Sequence, residues 1–103
     1  MPFQTGLRYP LNLGAVLASA PRRCGLYALY NADGCVYIGA ANNILSRLLD
    51  HIHEPNVCLK KTNPTAFTFE FCPPELIESR QAILLFEYRP PCTDRPELVT
   101  RET

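Results

Sequence analysis

Two tyrosines ten residues apart, an arginine ten residues further on, a histidine one helical turn later and a glutamine near the end are the side chains through which chemistry could pass: Tyr27, Tyr37, Arg47, His51 and Gln81. Phenol, guanidinium and imidazole are, as types, groups that move protons and hold anions. A phenol at its ordinary pKa of about 10 serves as a base near neutrality only where a cation lowers it. Gln81 stands out for a different reason. Ile77, Gln81, Leu84 and Tyr88 follow i, i+4, i+7, i+11, one continuous helix face. A polar group on such a stripe must find a partner or a job. It is either a core-edge glutamine bonded to backbone or a residue aimed into a groove.

Elements that must carry these residues can be read along the chain. Residues 24–30 and 35–39 read as two strands of a hairpin around Asn31-Ala32-Asp33-Gly34, a type I turn closed by a glycine at positive φ. With a glycine bulge there, Asn31 faces Cys35, Leu29 faces Tyr37 and Tyr27 faces Gly39. Tyr27, Leu29 and Tyr37 then share one face, and Leu26, Ala28, Tyr30, Val36 and Ile38 the other. Residues 43–53 read as a helix capped by Asn42 or Asn43. Ile44, Leu45, Leu48, Leu49 and Ile52 form its apolar stripe, and Asn43, Arg47 and His51 recur every four residues on a flanking polar face. A short helix is expected within 11–20 and a loop with two prolines over 54–64. A third strand at 65–72 carries Phe67, Phe69 and Phe71 on one side. A last helix at 75–88 is stopped by Pro90-Pro91.

A chain of 103 residues is one domain with one core, here with its core at about 21–93 and a polar tail, loop-like or partly disordered, from 93 onward. Ten basic residues balance ten acidic ones, which argues against a non-specific, charge-driven nucleic-acid binder while leaving local patches at Arg22-Arg23 and Lys60-Lys61. No apolar run reaches the ~18 residues of a membrane span. The first residues lack a basic region followed by an apolar one, so no secretion signal is expected. The five cysteines are odd in number and include no Cys-x-x-Cys pair. They read as buried, reduced thiols of a cytoplasmic or nuclear protein; Cys58 with His51 and His53 is the nearest metal alternative.

Gly25-Leu26-Tyr27 and Tyr37-Ile38-Gly39, with Arg47 in Ile44-Leu45-Ser46-Arg47-Leu48, His51 one turn on, and Gln81-Ala-Ile-Leu-Leu-Phe-Glu-Tyr-Arg-Pro90 closing the domain, resemble the GIY-YIG endonuclease superfamily over roughly residues 21–93. The last segment is similar to the closing helix of its repair-incision branch. The resemblance implies an α+β fold, a small three-stranded antiparallel sheet flanked by helices, that cleaves DNA phosphodiesters with Mg²⁺ or Mn²⁺. It implies that Tyr27 acts on the attacking water with Tyr37 beside it. Arg47 would bridge phosphate oxygens, His51 belong to the catalytic set, and Gly39 and Asn43 contact substrate.

Gln81 falls where that family keeps its metal-binding glutamate. An amide retains the shape and one oxygen but loses the charge that a hard cation prefers. The resemblance therefore implies weak metal binding and impaired cleavage, with DNA affinity kept or raised; a non-catalytic nucleic-acid- or protein-binding module on the same fold is the alternative. Glu78, one turn earlier, ranks below Gln81 as a metal ligand. Ala40 and Thr93 stand where relatives carry lysine and asparagine. With no specificity module appended, a homodimer, a specificity partner or loose specificity is expected.

Overall fold

The structure, a computed structural model, describes residues 7–93. Its centre is a hairpin of β2 (Gly25–Asn31) and β3 (Gly34–Ala41), with β4 (Ala66–Phe71) antiparallel on the other side of β2. Two-residue strands complete the edges. β1 (Tyr9–Pro10) pairs antiparallel with β4, and β5 (Cys92–Thr93) pairs parallel with β3. The order is β1-β4-β2-β3-β5. The three expected strands are thus the body of a five-stranded sheet; the added edges are too short to show any periodicity in sequence.

The hairpin register holds where it matters: Leu29 pairs with Tyr37 and Tyr27 with Gly39. The turn differs. Asn31 pairs with Gly34, not Cys35, and Tyr30 takes Cys35. Ala32-Asp33 is a two-residue turn, braced by the Asp33 N–H donating to Asn31 Oδ1 at 2.8 Å and closed by Gly34 at φ 130°. The extra residue is Val36, inside β3. A bulge leaves it packing with Tyr27, Leu29 and Tyr37 rather than on the opposite face. The expected offset is real, but β3 absorbs it one step after the turn.

Helices cover both faces. α1 (Leu13–Ser19), α2 (Ile44–His53) and α3 (Val57–Thr62) lie over the Tyr27 face, where Val16, Ile44, Leu48 and Leu59 pack on Tyr27, Leu29 and Phe67. Asn43 caps α2, its side chain accepting from the Ser46 N–H at 3.1 Å. α3 corrects the expectation of a loop over 54–64. Asn56 caps its start, accepting from the Leu59 N–H at 2.8 Å, and Asn63 ends it in the left-handed conformation. Six residues between Pro55 and Pro64 are too few for an amphipathic pattern. A 3₁₀ turn (Pro74–Leu76) leads into α4 (Ile77–Tyr88) on the second face, where Leu84 packs on Leu26, Ala28 and Ile38.

The cysteines are not all thiols. Cys58 of α3 and Cys92 of β5 form a disulfide, with Cys24, Cys35 and Cys72 free. That overturns the all-reduced reading and removes Cys58 from the alternative metal set with His51 and His53. The odd count hid one pair and three singles. Thr93, expected in the tail, belongs to β5, and residues 94–103 lie outside the described part.

Candidate active site

Alternation along β2 and β3 turns Tyr27 and Tyr37 to the α2 side, and both are buried. Their rings lie 5.9 Å apart. The i, i+4 spacing on α2 brings Arg47 and His51 to the same place. Tyr27 Oη and His51 Nε2 are hydrogen-bonded at 2.6 Å, and the His51 ring meets Tyr37 edge-on at 4.9 Å between centroids. Gly39 is a packing requirement of this arrangement. A Cβ there would fall 2.5 Å from both Tyr27 Cζ and Oη.

An open groove of about 410 Å³ runs over this cluster, lined by Tyr37, Arg47, Asp50, His51, Glu54 and Asn56. Arg47 Nη1 lies 3.6 Å from Asp50 Oδ2. Asp50, Glu54 and Asn56 had not been singled out from sequence. Asp50 could have been, three residues after Arg47 on the same helix side. Tyr27 is not among the lining residues and has no exposed surface. Its hydroxyl is held by His51, which does reach the groove.

Gln81 and Glu78 sit elsewhere, on α4 against the second face. Ile77, Gln81 and Tyr88 are half-buried around buried Leu84, the expected stripe, and Glu78 is exposed. The azimuth of α4 is fixed by Arg80, whose Nε and Nη2 donate to the two oxygens of buried Glu70 at 2.6 and 3.0 Å. This pairing raises the Arg80 pKa further. Gln81 lies about 100° further round the helix than Arg80, so it does not share the Glu70 contact. The structure thus gathers Tyr27, Tyr37, Arg47 and His51, with Gly39 beneath Tyr27 and Asn43 at the head of α2; Gln81 does not line their groove.

Burial pushes Tyr30 up to about 12 and the Cys35 thiol up to about 11. Both lie on the second face, where burial favours their protonated forms. Among the described residues no group of three His, Cys, Asp or Glu could hold a metal ion. Gln81 offers a neutral amide oxygen where a hard cation prefers an anionic one, and Glu78 beside it is exposed. No helix among the described residues is long and apolar enough to cross a membrane.

The family described as GIY-YIG catalytic domain matches residues 23–90, well over half of the chain. Among solved structures, the chain is similar to the GIY-YIG N-terminal endonuclease domain of UvrC from Thermotoga maritima. One point mutant bound to its catalytic divalent cation gives a TM-score of 0.63 at 22% identity, over 74% of this chain and 88% of that one. The same domain bound to magnesium gives 0.61 at 21%, over 70% and 84%. These likenesses establish the fold. No curated protein sequence matches the chain.

Proposed function

Because the chain belongs to the GIY-YIG family, we propose that it is a DNA-binding nuclease-type domain whose metal-dependent cleavage of phosphodiesters is suspended at Gln81. The observation that carries this reading is the 2.6 Å bond between Tyr27 and His51 beneath a groove that Arg47 also lines. Phosphodiester hydrolysis needs an activated water, neutralisation of charge growing on phosphate, and help for the leaving oxygen. Arg47 supplies the second, its planar fork matching two phosphate oxygens. Asp50 holds it until a phosphate competes.

His51 faces the water. Its Nε2 shares the 2.6 Å bond with the Tyr27 hydroxyl, the tautomer deciding which of the two donates, while the ring reaches the groove. Buried Tyr27 then holds the orientation of the imidazole, the service a second group performs for a catalytic histidine. This modifies the role expected for Tyr27, which here works through His51. Tyr37 walls the site, and Asn43 and Gly39 keep α2 and Tyr27 in place beside it.

When bound, a divalent cation would supply charge neutralisation at the phosphate; relatives of known structure carry magnesium. The position that resembles the metal-binding glutamate is an amide here, so weak Mg²⁺ or Mn²⁺ binding is part of the proposal. That observation also supports the second reading, a binding module that engages nucleic acid without cutting.

The test is to assay the chain and Gln81→Glu for nicking of duplex, branched and single-stranded DNA with Mg²⁺ or Mn²⁺, and to measure DNA binding by Arg47→Ala. Cleavage by Gln81→Glu alone supports suspended catalysis. No cleavage by either form, with binding lost in Arg47→Ala, supports the binding module. If neither form cuts and Arg47→Ala binds DNA undiminished, the groove is not a nucleic-acid site.

A further inference from the structure

The Cys58–Cys92 disulfide lies beside the groove. Cys92 pairs with Tyr37 in the parallel ladder of β5 on β3, is buried, and belongs to the same packed cluster as Tyr27, Tyr37 and Leu59. On the other side, Cys58 lies two residues after Asn56, which both caps α3 and lines the groove with Tyr37, Arg47 and His51. One covalent bond therefore joins the strand paired beside Tyr37 to the helix whose cap, Asn56, lines the groove.

Among the described residues, the polar contacts that hold β5 there are weak. It is two residues long, follows Pro90 and Pro91, which have no N–H to donate, and parallel pairing is the weaker kind per residue. Thr62 Oγ1 lies 3.9 Å from the Cys92 sulfur. Without the bond, a Cys58 thiol would have the Pro91 carbonyl at 3.7 Å, a weak contact.

We propose that Cys58 and Cys92 are positioning residues for this groove, and that their redox state sets how well it binds a phosphodiester backbone. The proposal rests on the reading of the groove given above. Reduction requires a dithiol reductant. Its thiolate attacks the Cys58 sulfur, the more exposed of the two, and the S–S bond breaks with Cys92 leaving as thiolate and taking a proton. The reductant's second thiol then displaces Cys58 from the mixed disulfide. Cys58 takes the other proton, and the reductant ends as a disulfide. The products are a two-residue strand with no covalent anchor beside Tyr37 and a released wall at Asn56.

The sequence provides an internal control, since His51 and His53 are its two histidines, one in the groove and one exposed. Their ring resonances are followed by NMR in the oxidised chain, in the chain reduced with dithiothreitol, and in Cys58→Ser, alongside far-UV circular dichroism and affinity for a short DNA duplex. Thiol alkylation of the denatured, unreduced chain is expected to label Cys24, Cys35 and Cys72 alone. Reduction should shift the His51 ring signals, leave His53 in place and the dichroism unchanged, and weaken DNA binding by about tenfold, an ordinary size for coupling between two sites. Cys58→Ser should match the reduced chain, and reoxidation of wild type should restore both readouts.

Labelling of all five thiols, identical His51 signals in both states, or a His51 shift with unchanged affinity would each overturn the proposal. So would loss of the dichroism on reduction, because the cross-link would then act through the whole fold. Undiminished DNA binding by oxidised Arg47→Ala sinks the underlying site reading instead, and the His51 comparison distinguishes the two failures.

Discussion

On the α2 face of the sheet, the polar groups face one another and a groove: Tyr27 bonds His51, Tyr37 meets it edge-on, and Arg47 lies by Asp50. On the α4 face, the strongest polar contact is sealed inside. Arg80 grips buried Glu70 with two hydrogen bonds, and Gln81 is half-buried on the same helix as Leu84. The difference shows that the two faces are ordered by separate sets of contacts. The position of α4 is set by Leu84 and by the Arg80–Glu70 pair, neither of which involves residue 81. The α2 cluster is ordered by its own contacts. An amide or a carboxylate at 81 is therefore expected to leave both packing systems intact, and the proposed suspension of cleavage predicts that the difference between them is read in chemistry.

The largest expected effect tests that separation. Gln81→Glu should raise Mg²⁺-dependent nicking by on the order of 10³-fold, the scale of one electrostatic contribution to a transition state, if the restored carboxylate helps to hold the cation that the proposed function invokes. Its effect on folding should stay within about 0.5 kcal/mol, as for a substitution outside buried networks. A nicking assay and a urea melt on the same preparation read the two numbers. A destabilised variant that still does not cut would make Gln81 a core-edge glutamine and collapse the contrast between the faces.

Next in size is the buried pair. Glu70→Ala leaves the Arg80 guanidinium without its partner and should cost about 3 kcal/mol in a denaturant melt. The double replacement Glu70→Leu with Arg80→Met should recover most of it, because two apolar side chains need no desolvation. If the faces are independent, the His51 ring resonances should not move in the double variant. Movement there would mean that α4 and α2 communicate through the sheet.

How much of each face was legible in sequence follows from the range of the signals. The hairpin, the Leu29–Tyr37 and Tyr27–Gly39 register, the cap at Asn43 and the shared faces of Tyr27 with Tyr37 and of Arg47 with His51 follow from period-two and i, i+4 spacing within one stretch of chain; that the two faces meet was implied by the family resemblance alone. Glu70 shows the limit. Its strand alternates with Phe67, Phe69 and Phe71 on one side, and nothing in that pattern shows that Thr68 and Glu70 on the other are both buried, Thr68 donating to the Leu7 carbonyl and Glu70 accepting from Arg80 of α4. The same limit hid Cys58–Cys92, two residues 34 apart that meet only because β5 returns to the edge of β3. It also hid α3, too short to be periodic, and the displacement of the bulge to Val36. The comparison with the repair-incision pattern located Gln81 in sequence, but its placement on α4 outside the groove lining required the three-dimensional packing.

A smaller effect probes the α2 face from beneath. Gly39→Ala places a methyl 2.5 Å from the Tyr27 hydroxyl carbon and oxygen. The ring cannot retreat, because Tyr27 is buried between β2 and α2. The expected cost is about 1–3 kcal/mol, the range for overpacking a dense core. Unlike the Glu70 variants, this one should shift the His51 resonances, since the displaced hydroxyl is the one His51 holds. A cost with no shift would show that Tyr27 yields without disturbing the cluster.

The smallest effect separates two roles of one residue. Asn43 caps α2 by accepting the Ser46 N–H, and the family resemblance also makes it a substrate contact. Asn43→Ala removes both and should lower stability by about 1 kcal/mol. Asn43→Asp keeps an acceptor in the same place and puts negative charge at a helix N-terminus, where it is favourable, so stability should return to the starting value. That same charge would face the phosphates of a bound duplex, and affinity should fall by severalfold, more steeply at low salt than at high. Restored stability with weakened, salt-sensitive binding assigns Asn43 to the DNA side of α2 as well as to its cap. Restored stability with unchanged binding leaves it a cap alone and moves the substrate path toward Arg47 and His51, deeper along the same helix.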